Sequence, residues 1–459
     1  MSVIAREVVL NDTPCRLLLT DGNGVRLSKT LTAIAIAGKA YLEGHIKRLL
    51  VVAPASVVSV WPQELTQHAA FPYEAIPLTG AVKKRMEALK DLTRVPRALQ
   101  VVVINYEVLA KMETALIAWR PDMVIYDESQ RLKTPSSQQS QAAGRISRYC
   151  KFRLGLTGTP VTQGPLDFWA QYRAIDPSIF GTSFYNFKNR YAVLGGFNQK
   201  QVVGYRNLPE LIVKAHSIAY RVTKEEALDL PEYIDQLLYC ELEPEAAKVY
   251  RQLARDSVAE LERDKHVTAA NVLARLLRLS QVTGGFVNDV DGRGHQVSRA
   301  KLSLLEELLE DLLVAEKKCV CFYRFTDEGR AIEELVKTKL KVGYARIAGD
   351  VPMAARGELV RQFQEDPECM VFLAQIQSAG LGITLTTADT AIFYSLDFSF
   401  ANYDQARARI HRLGQRNACT YIHLIAQGSV DEKIMQALAQ KRSMADQVVD
   451  GWRDYFDKE

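Results

Sequence analysis

No two cysteines stand at C-x-x-C spacing, and none of the seven has a histidine at zinc-ligand distance in sequence, which argues against a zinc module or a disulfide framework. Cys319 and Cys321 instead alternate within an apolar strand, so they are expected as buried thiols on one face. No apolar run approaches the roughly 18 residues of a membrane span. The opening MSVIAREVVLND lacks the long apolar core of a signal peptide, and a soluble chain in a reducing compartment is expected. Neither sign of charge dominates, with 58 Lys plus Arg against 54 Asp plus Glu. Any nucleic-acid binding must therefore come from local basic patches rather than an overall positive field. Short-period repeats and low-complexity segments are missing as well. What remains, at 459 residues with 47% hydrophobic and 24% charged, is a globular chain too long for one ordinary core.

The stretch VIYDESQRLKTP, residues 124 to 135, reads as an apolar strand that delivers Asp127 and Glu128 to its carboxyl end. Ligands of open parallel α/β sheets gather at such ends. An Asp there can hold Mg²⁺ on a nucleotide while the next Glu orients or deprotonates a water. Taken alone, Asp-Glu after a strand equally suits the start of a solvated helix. Upstream, RLLLT (residues 16 to 20) runs into a loop with Gly22 and Gly24, then Ser28, Lys29, Thr30 and an apolar helix, which is the order of a phosphate loop. In such loops the Lys reaches phosphates and the Thr hydroxyl ligates Mg²⁺. The pattern G-x-x-x-x-G-K-[ST] would place glycine at 23 and 28, where this chain has Asn23 and Ser28.

Apolar strands around Leu49–Pro54, Leu99–Ile104 and Phe152–Leu156 complete an expected five-stranded doubly wound unit. The fold class is α/β: two doubly wound parallel-sheet lobes with helical insertions. The first lobe is expected over 1–222, with an aromatic-rich helical appendage at about 166–222, and the second over 223–459. In the second, a helical insertion at about 244–285 precedes a glycine- and charge-rich loop at 286–300. Apolar strands then recur at Cys319–Tyr323, Gly343–Ile347, Met370–Ala374, Ala391–Tyr394 and Thr420–Leu424. Ser429 with Glu432 reads as a capping box for a last helix. On a helix, Gln405, Arg409 and Arg412 fall at i, i+4 and i+7 and share one face, and two guanidiniums on one face suit a triphosphate. A solvated basic face would have the same spacing.

VVAPASVVSVWPQEL, VVVINYE, YDESQRLK, LGLTGTP, RLLRLSQVTGGF, AQIQSAGLGITLT and QARARIHRLGQ occur in that order. In this the chain resembles the Swi/Snf family of superfamily-two helicase-like ATPases, particularly the small stand-alone members of bacteria and phages. The resemblance covers nearly the whole chain and implies that the two lobes are RecA-like. It implies ATP and Mg²⁺ as cofactors and duplex DNA as a largely sequence-independent partner, in the cytoplasm of a bacterial or phage-infected cell. A protein partner for targeting is compatible with it, no membrane is implied, and a monomer is expected. By motif position it implies that Gly24, Ser28, Lys29 and Thr30 hold phosphates, with Thr30 and Asp127 at the metal. Glu128 would activate water, and Gln405, Arg409 and Arg412 would complete the site from the second lobe. Thr157 and Thr159 would couple nucleotide state to lobe movement. DNA phosphates would meet Pro54, Ala55, Asn105, Tyr106, Arg324, Gln375, Gly380 and Gly382.

The family pattern is departed from at one end. Arg26 and Ser28 stand where it has glycine, and residues 1–20 contain no Gln for an adenine-reading element. A DNA-stimulated ATPase that moves on DNA is the leading expectation. An ATPase-silent DNA-binding or complex-forming module with an altered phosphate loop is the alternative, and an RNA-directed helicase of the same superfamily the third.

Overall fold

The computed structural model describes residues 16–21, 29–92, 97–195, 201–222, 230–263, 269–288, 294–378 and 383–445. The chain divides into two compact units, Met1–Leu228 with Lys441–Glu459, and Asp229–Gln440.

The first unit is built on seven strands that pair only in parallel: β1 (Arg16–Asp21), β2 (Arg48–Ala53), β3 (Tyr73–Pro77), β4 (Leu99–Asn105), β5 (Met123–Asp127), β6 (Phe152–Thr157) and, after a separate hairpin of β7 (Ala192–Gly195) and β8 (Gln201–Tyr205), β9 (Ala219–Val222). Their order is β3-β4-β2-β5-β6-β1-β9. The continuous apolar run of β2 follows from burial on both faces. Leu49, Val51 and Ala53 join one core with Val101, Ile125 and Leu154, whereas Leu50 and Val52 join the other with Val102, Ile104, Val124 and Tyr126. Helices Lys29–Leu42 and Val60–His68 cover the first face through Ala33, Ile34, Ala37, Trp61 and Leu65. Helices Tyr106–Trp119 and Gln138–Ser147 cover the second through Leu109, Met112, Leu116, Ala143 and Ile146. Seven strands therefore replace the expected five, because β3 and β9 sit at the two edges. The 166–222 appendage is not wholly helical. It contributes the β7–β8 hairpin and β9 beside helices Phe168–Ile175, Phe184–Tyr191 and Leu208–His216, with its own aromatic core around Phe168, Tyr172 and Phe187.

The second unit holds six parallel strands ordered β10-β17-β16-β13-β15-β14. They are β10 (Tyr233–Cys240), β13 (Cys319–Tyr323), β14 (Gly343–Ile347), β15 (Cys369–Gln375), β16 (Thr390–Phe393) and β17 (Cys419–Ala426). Cys319 and Cys321 are both buried on one face in the same core, as their alternation predicts. The insertion is the helix pair Pro244–Arg263 and Ala269–Thr283. The segment expected as a loop at 286–300 carries a hairpin, β11 (Phe286–Asn288) with β12 (Gly294–Gln296). At the last helix, Val430–Ala445, the expected capping box is altered. Glu432 accepts from the Gly428 N–H, and the Ser429 hydroxyl accepts from Asp431 N–H. No helix among the described residues is long and apolar enough to cross a membrane.

Candidate functional site

Three neighbouring strands of the first sheet, β5, β6 and β1, end together, with Asp127 opposite Leu156 and Thr20 opposite Thr157. Strand pairing alone therefore collects the end of β1, the Asp-Glu pair and the Thr-Gly-Thr turn at one edge. Lys29 and Thr30, both half-buried, open the helix Lys29–Leu42, and a helix N-terminus favours an anion. Gly24 and Ser28 lie outside the described residues.

Asp127 is buried and accepts a hydrogen bond from Trp61 Nε1 at 3.0 Å. Burial, then the adjacent Glu128 carboxylate, push its carboxyl up to about 6, against Trp61 and Lys29, which pull it down. The backbone turns sharply after it: Glu128 is left-handed, with φ 53° and ψ 55°. For a residue with a Cβ that conformation costs about 1–2 kcal/mol, and such outliers gather at functional sites. From Glu128 a relay of hydrogen bonds runs to the end of β6. Gln130 Nε2 donates to Glu128 Oε2 at 2.5 Å, the Thr157 hydroxyl donates to Gln130 Oε1 at 2.6 Å, and Thr159 N–H donates to Thr157 Oγ1 at 3.1 Å. The buried Thr159 hydroxyl has no hydrogen-bond partner among the described residues. Tyr106 Oη donates to the Asp127 carbonyl at 2.8 Å, and Ser129 donates to Gln171, which ties the acidic turn to the helix Phe168–Ile175.

Mg²⁺ fits this donor set. Two carboxylates and a Thr hydroxyl are hard oxygen ligands of the kind Mg²⁺ takes. No group of three or more His, Cys, Asp or Glu able to hold a metal occurs among the described residues.

In the second unit the expected helical face is not formed. Helix Phe400–Arg407 carries Gln405 but stops before Arg409 and Arg412. The turn brings the two arginines together by another route, since Nη1 of each donates to the Ile383 carbonyl, at 3.4 and 3.2 Å. The helix ends because tertiary bonds compete for the chain. Arg407 is caged by Tyr233, Tyr403 and Tyr421 and paired with Asp235, and Leu385 N–H donates to Arg409 O. Gln415 Nε2 donates to the Ala388 and Ile410 carbonyls.

The residues expected at DNA fall into two groups. Ala53 and Asn105 are register partners, which places Pro54 and Ala55 beside Asn105 at the ends of β2 and β4. Ala55 is exposed, Asn105 half-buried and Pro54 buried. Tyr106 is fully buried and its phenol serves the acidic turn, so the structure does not leave it available to a DNA phosphate as expected. Tyr323 and Gln375 are register partners on β13 and β15, and Gln375 Nε2 donates to Arg324 O at 3.1 Å. The turn at Arg324 is held by the buried Glu328, whose Oε2 accepts from Arg324 N, Phe325 N and the Ser395 hydroxyl. Gly380 and Gly382 lie outside the described residues. Sequence reasoning missed Trp61 and Gln130 as site residues. Both stand inside motifs already quoted, but a tryptophan within an apolar helix and a glutamine after an acidic pair carry no separate signal of the bond each makes.

Residues 9–284 match the SNF2-related domain and residues 300–414 the helicase conserved C-terminal domain. The chain is 26% identical over 400 residues to an uncharacterized ATP-dependent helicase of Mycoplasma genitalium, covering 86% of this chain and 36% of that protein. It is 29% identical over 450 residues to the DNA annealing helicase and endonuclease ZRANB3 of Mus musculus, covering 96% of this chain and 40% of that one. It therefore spans less than half the length of both relatives. A solved Sulfolobus solfataricus SWI2/SNF2 ATPase core in complex with dsDNA is 26% identical, with 94% of this chain and 88% of that chain covered and a TM-score of 0.41. With 9–284 of its 459 residues matching that domain, the chain belongs to the SNF2-related family, whose members here include ATP-dependent helicases.

Proposed function

We propose that the chain is a DNA-stimulated ATP hydrolase that translocates on or remodels duplex DNA. The observation that carries this reading is the relay from Glu128 through Gln130 to Thr157 and Thr159, beside the buried Asp127. A carboxylate whose orientation is set by a glutamine is suited to accept a proton from water, while the same glutamine transmits any shift of the β6 turn to that carboxylate. Lys29 and Thr30 are assigned to the phosphates and Asp127 to the metal. When bound, Mg²⁺ would supply charge neutralisation on the phosphoryl oxygens. Gln405, Arg409 and Arg412 are assigned to the triphosphate, with the two guanidiniums offsetting charge that builds on the γ-phosphate. The duplex-DNA assignment is supported by family membership and by a relative whose name is that of a DNA annealing helicase. Pro54, Ala55, Asn105, Arg324 and Gln375 are proposed as its contacts, largely to backbone phosphates and hence salt-sensitive.

The test is steady-state ATP hydrolysis with Mg²⁺, with and without duplex DNA or single-stranded RNA, on the native chain and on Glu128→Gln. DNA-stimulated turnover that the variant loses is the expected result, and stronger stimulation by RNA would overturn the substrate assignment. A second reading, an ATPase-silent DNA-binding module, is favoured by Asn23 and Ser28 in the phosphate loop. It takes over if the native chain binds duplex but turns over no faster than the variant.

A further inference from the structure

A second concentration of charge lies at the opposite end of the first sheet. Arg153 is the second residue of β6, about 13 Å along the strand from Thr157. Around it a hollow of about 260 Å³ is lined by Arg145, Arg148, Arg153 and Arg173, with Gln141 and Thr182, and by no acidic residue among the described residues. Two of these arginines are built in. Arg153, 8% exposed, donates from Nε to Cys150 O and from Nη1 to Ile175 O. Arg173 stacks its guanidinium 5.0 Å from the Trp169 ring and donates to Ser140 O at 3.0 Å. Gly144 lets Arg173 lie against the helix Gln138–Ser147, since a Cβ there would stand 2.9 Å from its Nε. The other two arginines close the rim. Arg145 is held by a bidentate pair with Glu113, and Arg148 is exposed, with no ion pair among the described residues.

Like charges converging on one concave space repel. Arg145 and Arg148, after burial, act on Arg173 to lower its pKa. A surface held together only for packing has no need of four guanidiniums facing one hollow. Planar, permanently charged forks of this kind match phosphate oxygens in pairs.

We propose that this hollow is a phosphate site separate from the nucleotide site, taking either a free oligophosphate or a phosphodiester of a nucleic-acid backbone. It does not depend on ATP turnover. The test is calorimetric titration of inorganic pyrophosphate into the full chain carrying Lys29→Ala, which weakens the phosphate-loop site. Binding is expected to persist there, to weaken about tenfold or more when Arg148→Glu is added, and to be largely kept with Arg148→Lys. Arg148 is exposed, so the charge reversal leaves packing intact, and matched thermal melts verify that. Loss of all binding in Lys29→Ala alone, or unchanged affinity in Arg148→Glu, would overturn the proposal. Duplex-DNA affinity across a salt series then separates the two sources. A salt slope lowered by about one in Arg148→Glu assigns the site to DNA backbone. An unchanged slope with pyrophosphate binding lost assigns it to a free oligophosphate.

Discussion

Both units carry a buried carboxyl where a central parallel strand ends, and the two are used in opposite ways. Asp127, at the end of β5, has one side-chain donor, Trp61, and the left-handed Glu128 beside it. Glu328, just beyond β13, spends one oxygen on two backbone N–H groups and a serine hydroxyl. Burial lifts both, to about 6 and about 7. A raised pKa alone therefore does not distinguish them. The number of internal hydrogen bonds does: Glu328 is engaged in shaping the Arg324 turn, whereas Asp127 keeps capacity for a cation.

The comparison predicts a kinetic phenotype on one side and a stability phenotype on the other. The largest effect is expected from Glu128→Gln, which keeps shape but removes the proposed proton acceptor. Turnover should fall about a hundredfold or more while nucleotide binding, measured by fluorescent-analogue titration, persists. Glu328→Ala should leave two backbone N–H groups and a hydroxyl without their acceptor and lower unfolding stability by about 2–3 kcal/mol in denaturant melts. Nucleotide affinity should not change, and a large loss of it would break the contrast. The same carboxyl makes a pH prediction. Its folded value lies above the ordinary 4.5, so the folded state holds the proton more tightly. The stability it contributes is full below the ordinary value and falls as pH rises through about 7. Melts across that range should show the decline, and Glu328→Gln should flatten it.

Smaller effects sharpen the Asp127 side. Trp61→Phe removes the donor that lowers the Asp127 pKa, and the Mg²⁺ needed for half-maximal ATPase should rise about tenfold. A higher requirement without any change in melting would place Trp61 as a positioning residue. Thr157→Val cuts the relay at Gln130 and should lower DNA stimulation a few-fold, on the order of one hydrogen bond, with basal turnover less affected. Equal losses with and without DNA would remove the coupling role from Thr157.

The central strands were legible because both their faces are buried, which makes each a continuous apolar run. Within the two parallel sheets, the strands that escaped notice, β3, β9 and β10, are all sheet edges. Along β3 and β10 most side chains are exposed or half-buried, so their residues read as ordinary polar chain. The acidic pair was legible by position, and the register of β5, β6 and β1 places it beside Thr157. The helix expected through Arg412 failed for the opposite reason. Its local sequence suits a helix, but Arg407 is held by rings and a carboxylate from β10 and β17, and Gln415 takes carbonyls a continuing helix would have needed elsewhere.

Motif order, strand polarity and the chemical identity of Asp127, Glu128, Lys29 and the arginines follow from the chain as written, because they depend on local pattern and spacing. Which groups touch does not. Trp61 on Asp127, Gln130 between Glu128 and Thr157, Tyr106 turned inward and the four arginines around one hollow all join residues distant in sequence or side chains whose direction only packing sets. A hydrogen bond requires a few tenths of an ångström in distance and a narrow range of angle. Nothing short of the folded arrangement specifies either.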